Sequence, residues 1–165
     1  MIQTLNTPRL TLRALCREDR EALVRLHRDP AVMRFNPSPP ASDAEALARL
    51  DGNVFCDWPP GLGFWAIERE ATFQGWIMLI PFRGDPTLVE VGYRLHTHAW
   101  GQGVATEALA AVTAYATLGR DCILAEARSD NPASIRVLEK AGYRLKEGFE
   151  EDGVNWVRYM YGTGH

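Results

Sequence analysis

Apolar residues recur along this chain with two different periods, and the switches between them mark out its elements. From Arg9 to Leu15 they alternate, with Leu10 and Leu12 on one face, which predicts a half-buried strand. Between Glu18 and His27 the spacing lengthens: Ala22, Leu23 and Leu26 form the stripe of a helix that Asp29-Pro30 stops. The prolines of Phe35 to Pro40 oppose helix and central strand alike and predict a stiff loop. Ser42 and Glu45 have the spacing of a capping box opening a second helix, whose inner face is expected to be Leu47, Leu50 and Val54. Phe64 to Glu68 and Phe73 to Ile80 predict a hairpin, and Leu88 to Leu95 a further strand. After the turn Trp100-Gly101-Gln102-Gly103 the period becomes helical again, with Ala105, Ala108, Leu109, Val112, Tyr115 and Ala116 inward. Cys122 to Ala127 predicts a short strand. Asn131 to Lys140 predicts a helix with an Asn cap, proline at its first position and Gly142 past its end. Tyr143 to Leu145 and Val154 to Tyr161 are the last strands. This order predicts a mixed α/β domain, one layer of sheet flanked by helices.

Bulk properties narrow the class. A chain of 165 residues, 46% apolar and 24% charged, is expected to form one domain spanning residues 1–165 with a real core. A net charge of −3 argues against partners such as nucleic acid or anionic membrane. No apolar run has membrane-spanning length, and the N-terminus lacks a signal-peptide pattern. Cys16, Cys56 and Cys122 form no CxxC pair and are taken as reduced thiols, so a cytoplasmic location is expected. The histidines, among them the C-terminal His165, have no partners at metal-ligand spacing, and no metal site is expected. A monomer and a homodimer are equally compatible with the sequence.

The chemistry is concentrated at the entry to the third helix. Gly101 and Gly103 let the backbone approach a ligand closely, offering only amide N–H groups. The first turn of a helix carries orphan donors and partial positive charge, which suits a phosphate or diphosphate. A tight turn that binds nothing would use the same glycines.

Three stretches together resemble the GNAT superfamily of acyl-CoA-dependent N-acetyltransferases. WGQGVATEAL (Trp100 to Leu109) is similar to its pyrophosphate loop, and NPASIRVLEKAGY (Asn131 to Tyr143) to its second cofactor motif. TPRLTLRAL (Thr7 to Leu15) resembles the RimJ/RimL group of ribosomal-protein N-terminal acetyltransferases. The resemblance implies a GNAT-like α/β (α+β) fold: a mixed, mostly antiparallel twisted sheet with two splayed central strands, flanked by helices. It also implies acetyl-CoA as cosubstrate and a primary amine as acceptor, either a protein N-terminus or a small molecule. Two positions depart from the pattern. Trp100 stands where many members have Gln or Arg, and Leu138 where many have a tyrosine acid. A non-catalytic acyl-CoA sensor is the alternative that Leu138 suggests. A dinucleotide-binding protein is disfavoured by Thr106 and by the motif's late position.

The family fold further implies that backbone groups of Arg94 and Leu95 hold the pantetheine arm, with the Leu95 amide as oxyanion donor. Gly101, Gln102, Gly103, Val104, Ala105 and Thr106 would cradle the diphosphate. Asn131 caps its helix and would also face the pantetheine. Ser134, where the subgroup commonly has serine, takes the acid role or is a plain helical serine. Glu90 is the candidate base: its neighbours Leu88, Val89 and Val91 are apolar, so its carboxyl would be desolvated, unless it turns to solvent or pairs with an arginine such as Arg94. Glu68 is the fallback, and His96 and His98 flank the loop. Phe35, Asn36, Trp58, Trp65 and Trp76 are candidate pocket walls or core residues.

Overall fold

Eight strands form a single sheet in the order β1-β2-β3-β4-β5-β6-β8-β7 in this computed structural model, which describes residues 2–162. His165 lies outside the described residues. Leu5–Asn6 (β1), Thr11–Ala14 (β2), Gly63–Arg69 (β3), Thr72–Phe82 (β4) and Asp85–Leu95 (β5) pair antiparallel in succession. Cys122–Arg128 (β6) joins β5 in parallel, and Arg144–Glu151 (β7) and Val154–Gly162 (β8) complete the far side as a hairpin. The four helices are Arg20–Arg28 (α1), Asp43–Asn53 (α2), Val104–Ala116 (α3) and Pro132–Lys140 (α4). This is a mixed α/β architecture with a mostly antiparallel open sheet. Among the described residues no helix is long and apolar enough to cross a membrane.

The sheet separates two cores. On one side α3 and α4 bury Leu109, Val112 and Leu138 against Leu12, Ile77, Val89 and Ile123. On the other, Leu23 and Leu26 of α1 and Leu50 of α2 pack on Phe64 and Trp76. At about 25 cal/mol per Å² of apolar surface, contacts of this kind are what hold both helical layers to the sheet.

Several elements differ from the sequence reading. β1 was not expected, being too short to show alternation. The first helix begins as a 3-10 turn, Arg17–Asp19, where Asp19 accepts both Arg13 guanidinium nitrogens at 2.8 Å. In α2, Ser42 caps the Glu45 amide as expected, but Leu47 faces solvent at 37% exposure while Ala46 and Leu50 are buried. β7 runs to Glu151, well past Leu145, as an almost wholly exposed edge strand. The long-helix stripe is close to expectation: Ala108, Leu109, Val112 and Ala116 are buried, joined by Val104 and Thr113, whose hydroxyl meets that of Tyr143 at 2.8 Å.

Candidate active site

β5 and β6 pair only at Val89–Ile123 and Glu90–Leu124. Beyond that point β5 runs on to Leu95 and β6 to Arg128 with no partner between them, so the strands part and leave a cleft of about 670 Å³. β5 stays straight because β4 holds its other edge as far as Gly75–Leu95. Gly75 is required there: its φ is 147°, and a Cβ would lie 2.1 Å from the Arg94 carbonyl oxygen.

The ladder decides which backbone groups face the cleft. His96 donates its amide to the Gln74 carbonyl at 2.9 Å. Antiparallel pairing alternates, so the Arg94 amide is also turned towards β4, while those of Tyr93 and Leu95 point into the gap. The expectation for Arg94 is therefore corrected: its backbone pairs with β4, although the residue does line the cleft. The Leu95 carbonyl already accepts the Trp100 indole N–H at 3.1 Å, leaving the amide as the free group.

At the mouth of the cleft, Gly101 and Gly103 both adopt left-handed conformations, φ 69° and 76°, and α3 begins at Val104. Gly101, Gly103, Val104, Ala105 and Thr106 line the cleft. Left-handed glycines leading into a helix N-terminus are the backbone geometry in which successive amides can form an anion-binding concavity. Gln102 points outward instead: its side chain accepts Arg69 Nη1 at 2.6 Å, and its carbonyl accepts Arg9 Nη1 at 2.9 Å. Glu107, in the first turn of α3, accepts from Thr7 Oγ1 at 2.6 Å and Arg9 Nε at 2.6 Å. The amino-terminal TPR segment thus braces the glycine loop from behind. Nothing in the local pattern could reveal that, because the partners lie almost a hundred residues apart.

α4 supplies the opposite wall. Asn131 accepts the Ser134 amide at 3.2 Å and donates Nδ2 to Ser134 Oγ at 3.1 Å. With its oxygen accepting, the Ser134 hydroxyl has its own hydrogen to offer elsewhere. Tyr93, whose hydroxyl is buried with no hydrogen-bond partner among the described residues, lines the same cleft. Burial raises this phenol above its ordinary value, and the nearby Ser134 side chain partly offsets the shift. Leu138, which stands where the resembling pattern has a tyrosine acid, is a core residue at 3% exposure. A phenol therefore enters the site from β5 rather than from α4, which sequence reasoning missed.

Glu90 and Arg94 lie on the other face of β5, beside Trp76 and Met78. Burial pushes the Glu90 carboxyl up to about 7, helped by the negative charge of Glu126 and opposed by Arg83 and Arg158. Glu90 sits at the closed end of the gap, beside Leu124, and does not itself line the cleft. Glu126 does, held by Arg158 through Nε at 2.8 Å and Nη2 at 2.7 Å. Glu126 was missed too, although it is the lone acid of the apolar strand Cys122–Arg128.

Other candidates fall away. Glu68 is bound to Arg13 at 2.8 Å in the Asp19 cluster. His96 and His98 stack on each other, centroids 5.4 Å apart, outside the cleft lining. Trp65 is fully buried core, its indole donating to the Gln3 carbonyl at 2.9 Å, and Trp58 packs on Phe64. Phe35 and Asn36 do line the cleft, and Trp76 lines a smaller cavity next to it.

A sheet opened between two parallel-paired strands, with a glycine nest and helix N-terminus at its mouth, defines an acyl-CoA-type transferase site. A family description, acetyltransferase (GNAT) domain, matches residues 9–144. The chain is 34% identical over 159 residues to the FsC-acetyl coenzyme A-N(2)-transacetylase of Aspergillus fumigatus, covering 88% of this chain and 67% of that protein. It is 30% identical over 169 residues to the N-acetyltransferase YoaA of Bacillus subtilis, covering 99% and 92%. Its fold is similar to that of RimL, a ribosomal-protein α-N-acetyltransferase solved in complex with coenzyme A, with a TM-score of 0.82, 22% identity, and 97% and 98% of the two chains covered. A GNAT-family acetyltransferase from Bacillus anthracis superposes equally well, at a TM-score of 0.82 and 20% identity over 97% and 98%. The chain belongs to the GNAT acetyltransferase family, and it is an N-acetyltransferase.

Proposed function

We propose that this enzyme transfers an acetyl group from acetyl-CoA to a primary amine by direct attack within a ternary complex, with the residues of the β5–β6 cleft in the following roles. The inward amides at Gly101 to Thr106 hold the diphosphate, and Asn131 lies alongside the pantetheine arm. The Leu95 amide, with that of Tyr93 beside it, hydrogen-bonds the carbonyl oxygen as it gains charge. Acetyl-CoA supplies the activated thioester; the remaining work is positioning and proton movement.

An amine must be neutral to attack, and an α-amine, with a pKa of about 7.7 to 8.0, needs less help than a lysine at about 10.4. Glu90 accepts the proton, relayed through Glu126 or a water because Glu90 stands behind the cleft wall. Ser134 and Tyr93 donate hydrogen bonds to the sulfur as it departs. A phenol held above its usual value stays protonated at neutral pH and so remains a donor throughout. A cytosolic setting belongs to this reading, since Cys16, Cys56 and Cys122 are all free thiols.

The observation that carries the proposal is the juxtaposition of two features: an anion-binding glycine nest at the cleft mouth and a half-buried carboxyl at its closed end. The test is acceptor-dependent release of free CoA thiol from acetyl-CoA, over a panel of small amines, amino acids and peptides with free N-termini. Saturable release with at least one acceptor is expected. Release indistinguishable from hydrolysis across the whole panel would refute the catalytic assignment and leave an acyl-CoA-binding protein.

A further inference from the structure

Arg94 is a half-buried guanidinium on the cleft wall that the fold leaves without a counter-charge. Arg158 is bound by Glu126 and Glu147, and Arg13 by Asp19 and Glu68. Arg94, among the described residues, has no ion-pair partner and no hydrogen bond. Its contact is with the Trp76 ring, 5.3 Å from guanidinium carbon to centroid. Burial alone lowers it, to about 10, so it is still a cation at neutral pH. A partly buried cation that lines a cavity and has no counter-charge gains most from a ligand that brings one.

Its position indicates which ligand. Arg94 forms part of the wall between the main cleft and a cavity of about 240 Å³ beneath α1 and α2. That cavity also presents His27, Asn36, Arg49 and Trp76, with Leu50 and Phe64 as apolar walls. His27 accepts the Trp76 indole N–H at 3.0 Å, so that nitrogen carries no proton and the ring adds no charge. Arg49 is occupied by Glu45 and the Ser38 carbonyl. The cavity therefore has one free positive charge and no free carboxylate. Along β5, Arg94 lies on the same face as Glu90 and four residues away, about 13 Å between Cα atoms at the usual strand rise. Both side chains reach several ångströms into that interval.

We infer that Arg94 binds a carboxylate of the acceptor, so that the amine acetylated here belongs to a small amino acid rather than to a polyamine or an uncharged amine. The inference rests on the N-acetyltransferase reading above and adds the acceptor's class. A polycation would bring like charge against a guanidinium that has no counter-ion. A carboxylate would restore the missing bidentate partner and leave the amine on the Glu90 side.

The test compares amino acids with their primary carboxamides as acceptors, which keep the amine and lose the anion. The wild type should favour the acids at least tenfold in kcat/KM, and Arg94→Gln should collapse that ratio towards one. Arg94→Met, which keeps an apolar stem on Trp76, should do the same and melt no lower than wild type, since it removes an unanswered charge; a purely structural arginine would leave a less stable protein. Calorimetry with CoA-saturated protein gives a readout independent of turnover: amino acids should bind the wild type at least tenfold tighter than either variant. A wild-type acid-to-amide ratio near one, or a preference that survives in both variants, overturns the anchor. If no amine is acetylated at all, the transferase reading has failed instead. The anchor is then decided by calorimetry alone, where absence of amino-acid binding, or binding unchanged by Arg94→Gln, overturns it.

Discussion

The proposed role of Glu90 as base depends chiefly on its burial. Burial and the negative charge of Glu126, opposed by Arg83 and Arg158, leave its carboxyl at about 7. As base it works only when ionised, so kcat/KM at subsaturating acceptor should climb with pH through about 7. Glu90→Gln should lower kcat by about 10² to 10³ and remove that limb of the profile, measured by thiol release between pH 5.5 and 9. At the departing sulfur the two hydroxyls serve one site. Ser134→Ala and Tyr93→Phe should each lower kcat by roughly tenfold with little change in the KM for acetyl-CoA, and the double variant should lose less than the product. An effect on KM alone would make them walls, not donors. Glu90 could be picked out of the sequence because an acid in an apolar run is conspicuous. Tyr93 could not: its side chain reaches the cleft only because β6 departs from β5 just beyond Glu90, and no local pattern encodes that departure.

The elements that shape the cleft depend on two glycines whose constraints differ. Gly103 caps α3 in a left-handed conformation, and an added Cβ would come 3.2 Å from Arg9 Nη2, the end of a side chain that can move. Gly103→Ala should therefore cost about 1–2 kcal/mol through its backbone conformation, with a higher KM for acetyl-CoA but a folded protein. Gly75 has backbone against it, the Arg94 carbonyl at 2.1 Å. Gly75→Ala should cost about 3 kcal/mol or more and tilt the strand end that presents the Tyr93 and Leu95 amides. Thermal melts and acetyl-CoA titrations of both variants check this ordering; equal effects would mean that β4 does not hold β5 in place. The helices and central strands were legible in the sequence since their periods are set by burial on a defined face. The edges were not. β1 is too short to alternate, β7 is exposed along nearly its whole length, and α2 turns Leu47 out while small Ala46 goes in.

Across the whole molecule the sheet separates two faces, with α3, α4 and their sequence motifs on one side and Glu90, Arg94, Trp76 and His27, the groups proposed for the acceptor, against the α1–α2 layer on the other. The motif residues made the first side legible, because glycine spacing and an Asn-Pro cap are local. The second side is assembled from three separate elements, α1, β4 and β5, and of its residues the sequence pointed to Glu90, Arg94 and Trp76 but not to His27. That side also sets the pH response of the fold. Native His27 is held down to about 4, chiefly by burial, against an ordinary value of 6.5. The unfolded chain therefore binds more protons there between pH 6.5 and 4, and stability falls as the solution is acidified through that window. Glu90 acts in the opposite direction. Native Glu90 keeps its proton to about pH 7, whereas the unfolded chain releases it near 4.5, so stability falls as pH rises between those values. Discounted for its partial exposure, the Glu90 contribution is about 1–2 kcal/mol at pH 8. Glu90→Gln should remove it, so wild type and variant should melt together near pH 4.5, and the inactive variant should melt about 3–6 °C higher at pH 8. Calorimetric scans at the two pH values decide the matter. A variant that melts lower at pH 8 would mean that the native fold already satisfies the Glu90 charge, and the same result would remove the reason for making it the base.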